Sequence, residues 1–551
     1  ADNVAVGKNA LVVNTTGAHN TALGAYALDA NTTGSYSTAI GYNALTANTT
    51  GENLAVGHSA LAFNTTGTDN TAVGRYGTLM ANTTGSYNIA IGRDALTSNT
   101  TASNNTAVGY RAMKQTTTGA SNVAMGYWAL HDNTTGTNNA AFGYEALKSN
   151  TTASNNAAVG LFSLKANTTG AYQTAVGTWA LGANTTGTLN TAIGGLALDA
   201  NTTGSNNTAL GYHSLSTSTT ASNNTAIGYK ALLFNTTGHT NVAVGKLALQ
   251  SNTTGIRNVA VGEGALGSNT TGHTSTAIGH RALQLFQGSA GECTAVGCFS
   301  QYSNTSGPDN NSFGYDSLAQ LTTGSYNCAF GNTSGDAITT GTYNTNFGQA
   351  SGGSITTANW NTMIGNSAGH TTTTGNSNVC VGNYARVDTA TSSNAIVIGD
   401  NITGDADRFM MGKASNRVWN QFTSNASWNR SSDERKKTDI ADATLGLDFI
   451  NDLSTKTFKW KRSQDIPNTL NDYDADVNHM DTDVVMHGML AQDVKAALDT
   501  AGVTTFGGWS EEKDGSQCLS QEMFIYPLIK AIQELSTENE ALKARLTAGG
   551  L

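Results

Sequence analysis

The sequence predicts a mostly β protein: a parallel β solenoid (β-roll or β-helix) of 17-residue repeats, followed by a smaller α+β domain that ends in a short coiled coil. Three observations carry this. A glycine recurs 24 times from Gly7 to Gly399, which is 392 residues in 23 steps; only the steps to Gly57 (16), Gly92 (18) and Gly297 (18) differ from 17. The 551 residues include 62 Gly and 3 Pro, and 12% are charged, about half the usual share for a soluble domain. Of the 28 Lys+Arg and 38 Asp+Glu, 12 and 15 lie in residues 1–400, which leaves 16 and 23 for residues 401–551. Two parts with different physics meet near residue 400.

Each repeat reads as short extended pieces and two turns. Ala22-Leu23-Gly24 sets an apolar residue before the glycine, Ala27-Leu28 follows, and Asn31-Thr32-Thr33-Gly34 closes the unit before Thr38-Ala39-Ile40 opens the next. Seventeen residues with two turns are too few for two packed helices, and Gly, Asn and Thr disfavour helix. Glycine suits corners that need positive φ, and asparagine tolerates them. The Val, Ile, Leu or Phe before each glycine and the Leu four after it are expected to form a dry interior, with Asn and Thr laddering up the stack. The Asn-Thr-Thr triplets also match the N-glycosylation acceptor pattern, but a structural ladder explains their period. At roughly 4.8 Å per strand, 24 coils give a rod on the order of 115 Å. From Gly314 the motif loosens, with Phe313 and Phe347 before the glycine, so a changed cross-section with Phe turned inward is expected there. The chain begins in mid-repeat, from which an upstream attachment domain is expected.

Several functions are excluded by composition. A net charge of −10 without a basic cluster argues against a nucleic-acid partner. No apolar run approaches a membrane span, and residues 1–7 have neither the basic start nor the apolar stretch of a signal peptide. Five cysteines (Cys293, Cys298, Cys328, Cys380 and Cys518) are odd in number and sparse, so no disulfide framework is expected. Cys293 and Cys298 lack partners at metal-ligand spacing and read as buried small apolar residues. Neither metal nor cofactor is expected.

The repeats resemble the head β-rolls of trimeric autotransporter adhesins, which carry a similar Asn-x-Ala-Ile-Gly motif, and more closely the Asn-Thr-Thr-Gly repeats of phage and marine-virus fibre proteins. The tail carries three further segments: Ser432-Asp433-Glu434-Arg435-Lys436-Lys437-Thr438-Asp439-Ile440, His487-Gly488-Met489-Leu490-Ala491-Gln492-Asp493-Val494, and Leu528-Ile529-Lys530-Ala531-Ile532-Gln533-Glu534-Leu535. Together they resemble the self-cleaving intramolecular chaperone at the C-terminus of phage endosialidases and related tail fibres. Lys436 departs from that pattern, where a leucine usually precedes the lysine. The resemblance implies Ser432 as nucleophile, Lys437 as its general base and a cut between Ser431 and Ser432. It implies supporting places for Asp433, Arg435, His487 and Gln492. A neutral amine can take a hydroxyl proton when burial or nearby cations favour the neutral form. The domains are then a body (1–400), a junction (401–431) and a chaperone (432–551).

Within the last domain, Leu528, Ile532, Leu535, Asn539, Leu542 and Leu546 alternate steps of four and three, a coiled-coil seam over residues 528–546. The resemblance implies three strands. The expected protein is a homotrimeric tail fibre of a virion, assembled in the host cytoplasm, whose tail drives trimerisation and is then cut away. Its expected partners are its own copies, a virion-attachment part and a host-surface receptor such as a glycan. The column after each repeat glycine varies freely, and Tyr110, Tyr127 and Tyr144 within it form a candidate receptor strip. A bacterial trimeric adhesin and, less favoured, a polysaccharide-degrading tailspike are the alternatives. For the latter, 15 acids spread over 400 uninterrupted residues offer no cleft for a carboxylate pair.

Overall fold

The computed structural model describes residues 2–288, 292–414, 416–421, 432, 434–470, 473, 475–476, 478 and 482–550. The chain divides into two compact units, Ala1–Ser431 and Ser432–Leu551. In the first, each coil contributes one short strand that pairs in parallel with the next, Ala141 opposite Ala158 and Ala158 opposite Ala175. Among the described residues the sheet has 26 strands; the last of them, Asn416–Gln421, folds back antiparallel on Arg408–Lys413. The 17-residue period is therefore one coil of a parallel solenoid.

The coil of residues 140–156 shows why the sequence closes so tightly. After strand Ala140–Phe142, Gly143 turns the chain at φ +141°, where a Cβ would lie 2.5 Å from the carbonyl oxygen of Gly160 in the next coil. Glu145, Leu147 and Asn155 then adopt left-handed φ of 53°, 51° and 62°. Such angles are costly for residues with a Cβ and persist where the surroundings over-determine them. Here the neighbouring coils do so. Glu145 N–H donates to Tyr127 O (2.8 Å) on one side, and Leu147 N–H to Ser163 O (3.0 Å) on the other.

The interior differs from the sequence expectation at one column. The Leu four residues after the glycine is fully buried along the inner coils, as Leu130, Leu147 and Leu164 show. The residue just before the glycine is not: Phe142, Val159 and Val176 are 37%, 41% and 37% exposed. Side chains alternate across a strand, and in this one the middle residue faces in. That residue is Ala141, Ala158 or Ala175, each fully buried, because a small cross-section already holding Leu leaves room for only a methyl group. The bulky column instead lines the outer face of the sheet. Phe313, Phe330 and Phe347 also lie on that face, stacked at 4.4 and 4.7 Å, so the expectation of inward-facing Phe is corrected as well.

Two buried asparagine columns complete the core. Asn139 receives the N–H of Asn156 on its Oδ1 (3.1 Å) and donates its Nδ2 to Ala153 O (2.9 Å). Asn150 donates to Asn133 Oδ1 (3.0 Å) and receives Asn167 Nδ2 (2.9 Å). The Asn of the Asn-Thr-Thr triplets, Asn31 and Asn150 among them, is fully buried everywhere but at half-buried Asn14 of the first coil, and so is closed to glycosylation in the folded coil. Asn139→Ala is expected to strand the Asn156 N–H, at about 1–3 kcal/mol for a buried group left unsatisfied, while the Ala153 carbonyl keeps its bond from Asn150 Nδ2 (3.0 Å). Thr135→Ala, at an exposed position, is the control; equal denaturant midpoints for the two variants would contradict the ladder's importance.

The far end changes cross-section by a volume exchange. Gly335, Gly352 and Gly369 stand where Leu stood, while Ile338 and Ile355 stand where Asn stood. A Cβ at Gly352 would meet Asn346 Oδ1 at 2.0 Å, and one at Gly369 would meet Met363 Sδ at 2.2 Å, so larger residues from the Ala column fill the space that Leu vacates. Between the two cores, buried Gln301 donates to Thr294 O (3.1 Å), Asn310 O (3.1 Å) and Ser312 Oγ (2.9 Å). Burial pushes the Cys293 thiol up to about 11 and that of Cys380 up to about 12, whereas Cys298 is only half-buried and Cys518 is exposed. A thiol reagent at neutral pH is expected to label Cys518 in the native protein and to reach Cys293 and Cys380 only on unfolding. Peptide mapping that finds either one labelled in the native state would contradict this.

Among its described residues the second unit holds helices α1 (Leu447–Asp452), α2 (Ala491–Thr500) and α3 (Ile525–Ala548) and two small two-stranded antiparallel sheets. Its core is Leu445, Phe449, Val494, Ala497, Leu498 and Phe524. The α1 amide at Leu447 donates to Glu534 Oε2 (2.6 Å) of α3, and Gly446 leaves the room this needs. Beyond Ala531 no residue of α3 is buried.

Candidate active site

The site opens at the first residue of the second unit. A single 3-10 turn, Glu434–Lys436, follows Ser432, and Lys437 N–H closes it on Glu434 O at 2.9 Å. This turn folds a five-residue separation back on itself. Lys437 Nζ thereby donates to Ser432 Oγ at 2.8 Å. Both side chains are exposed in the single chain. An ammonium in this position orients the hydroxyl; once neutral, the same nitrogen can accept the hydroxyl proton.

The other expected residues are placed as follows. Ser431 and Asp433 lie outside the described residues, as does the side chain of Lys436. Arg435 sits in the turn with an exposed side chain. His487 lies on strand Met486–Met489, opposite Thr457 in an antiparallel pair with Thr455–Phe458. It lines an open depression of about 610 Å³ with Thr455, Lys456, Met489 and Gln521. Gln492 is exposed in the first turn of α2, next to Asp493, whose carboxylate lies 3.9 Å from Lys456 Nζ. Among the described residues no hydrogen bond joins His487 or Gln492 to the Ser432–Lys437 pair. The sequence did not point to Gln521 as a neighbour of His487, since its approach depends on how two distant segments pack.

The seam residues lie on α3 as spaced. Leu528, Ile532, Leu535, Leu542 and Leu546 are each at least 45% exposed, and Asn539 is exposed between them. Tyr110, Tyr127 and Tyr144 stack along the solenoid with ring centroids 5.2 and 4.9 Å apart. Among the described residues, no cluster of three His, Cys, Asp or Glu could hold a metal, and no helix is long and apolar enough to cross a membrane.

Residues 432–503 match the model of the family described as chaperone of endosialidase. The match begins on Ser432 and includes Lys437, His487 and Gln492. No curated protein matches the chain. The chain thus carries a chaperone-of-endosialidase segment behind a long parallel β solenoid, a combination that fits a phage tail fibre-like protein.

Proposed function

We propose that the chain is a homotrimeric viral tail fibre whose C-terminal unit assembles three copies and is then released by its own Ser432. The observation that carries this is the 2.8 Å contact of Lys437 Nζ with Ser432 Oγ at the first residue of the unit. In the proposed chemistry, Ser432 Oγ attacks the carbonyl carbon of Ser431 while its proton passes to the neutral Lys437 amine. The bond between Ser431 carbon and Ser432 nitrogen breaks, and the leaving nitrogen takes that proton. Water then hydrolyses the resulting ester, giving a Ser431 carboxylate and restoring the Ser432 hydroxyl. Both side chains of the pair are open to solvent in the single chain, and burial is what favours a neutral amine, so the pair needs to be covered before it can act. Assembly supplies the cover, and cleavage follows trimerisation.

Two surfaces support the trimer. On α3 the seam lies bare over more than four turns. On the solenoid, the column before the glycine puts an apolar residue on the outer face of nearly every coil, among them Leu23, Ile91, Met125 and Ile193. Contiguous apolar patches of this kind mark contact surfaces. A surface that repeats with the coil rise matches along its length only a partner with the same rise, and that partner is another copy of the chain. The count of three follows the resemblance to endosialidase chaperones. The solenoid turns then remain free to meet a host receptor, and the mature fibre belongs to the virion.

Leu535→Asp is expected to leave the protein monomeric by light scattering and uncut on a denaturing gel, while wild type shows trimer first and cleavage after it. A monomeric Leu535→Asp chain that is cut at the wild-type rate would contradict the coupling.

A further inference from the structure

One lateral face of the solenoid differs from the rest in charge. Of the 12 Lys+Arg in residues 1–400, five fall between residues 93 and 165 (Arg93, Arg111, Lys114, Lys148 and Lys165), together with three acids, Asp94, Asp132 and Glu145. The remainder of residues 1–400 holds seven Lys+Arg and 12 Asp+Glu. The stack gathers these cations. Lys114, His131, Lys148 and Lys165 occupy the same place, five residues after the glycine, in four successive coils.

The cations are held in place and only half neutralised. Asp94 Oδ2 lies 3.4 Å from Arg111 Nε and 3.8 Å from Arg93 Nε, one carboxylate between two guanidinium groups. Glu145 repeats the arrangement, 2.9 Å from Lys165 Nζ and 3.5 Å from Lys148 Nζ. Burial pushes the Glu145 carboxyl up, but the two lysines outweigh it and hold the group below the ordinary carboxylate range. Each pair keeps one unmatched positive charge. Trp128 positions two of the cations, with Lys148 Nζ 4.4 Å and Arg111 Cζ 5.5 Å from its ring centroid.

Beside this ladder, Tyr110, Tyr127 and Tyr144 cover one another's faces, so they present ring edges and hydroxyls rather than open faces. Aromatic edges carry partial positive charge, and phenols donate hydrogen bonds. The whole surface therefore favours a hydroxylated, negatively charged partner with groups recurring along the stack. We infer that this face binds an acidic polysaccharide laid along the coils. This deepens the fibre reading by naming the class of host-surface polymer; binding is measured on the whole chain and depends on neither trimerisation nor cleavage.

The test measures retention of the full chain on immobilised polygalacturonate and dextran sulfate at several salt concentrations, against neutral dextran and duplex DNA. Arg93→Gln with Lys114→Gln is expected to weaken binding to the acidic polysaccharides about tenfold, as befits the loss of two charge contacts. Lys230→Gln with Arg257→Gln removes the same charge elsewhere on the body and is expected to change binding by less than about twofold. Circular dichroism confirms that both variants remain folded. Equal weakening by the two double variants, equal retention on neutral dextran, or DNA bound as tightly as the polysaccharides would overturn the proposal.

Discussion

Replacing Ser432 with alanine is expected to leave the chain whole at 551 residues, where wild type yields two products that part between Ser431 and Ser432. Removing a nucleophile that acts together with its base costs on the order of 10⁴-fold or more in rate, so no product should accumulate during expression. Lys437→Arg is the sharper companion. Arginine keeps the positive charge and can still donate to Ser432 Oγ, but it does not lose its proton in proteins. If Lys437 only positions the hydroxyl, Lys437→Arg cleaves; if it is the base, it forms trimers that stay uncut. Intact mass measurement separates these outcomes, and a wild-type break anywhere but before Ser432 would contradict the assignment.

The second large effect is expected in the solenoid. Gly143→Ala places a methyl group 2.5 Å from Gly160 O and 2.7 Å from Gly160 C at φ +141°, a region that residues with a Cβ rarely enter. Backbone on the next coil cannot step aside, because that coil is itself bonded to the one beyond it. A destabilisation of about 3 kcal/mol or more is expected from backbone strain and overlap together. Limited proteolysis should then cut near coil 143 in the variant and spare wild type. A protected variant would show that the coils are more loosely stacked than these distances imply.

The repeat itself was legible because the structure demands it at every coil: a glycine whose Cβ position is occupied by the next coil's carbonyl cannot be replaced. Which column faced inward was harder to read. Val, Ile or Phe before a glycine looks like core, and alanine is only weakly apolar, so the bulky column reads as the inward one. The signal was nonetheless present. Ala22, Ala39, Ala55 and Ala72 hold one size coil after coil, as a fixed cross-section requires, whereas Leu23, Met125, Phe142 and Val159 range widely in volume, as an outer face allows. The change of core near Gly314 could be read from loosening of the motif, but its cause was a paired exchange at Gly352 and Ile355 rather than the phenylalanines. In the tail, a Ser five residues before a Lys says little by itself; the resemblance to endosialidase chaperones pointed to Ser432 and Lys437, and the 3-10 turn brings the two together. The surroundings of His487 depend on contacts between segments far apart in sequence, which no local pattern encodes.

In the proposed role, the C-terminal unit assembles the solenoid and its loss makes assembly one-way. Every strand pairs with residues about one coil away and leaves an open edge until the next coil is added, so a unit that holds the chains together during assembly would limit aggregation on the way. The most direct measurement is refolding from guanidinium of two proteins side by side: the cleaved body after separation from residues 432–551, and uncut Ser432→Ala trimer. The expected result is that Ser432→Ala regains its β circular dichroism and trimer mass while the cleaved body aggregates. Equal recovery of both would contradict the chaperone role.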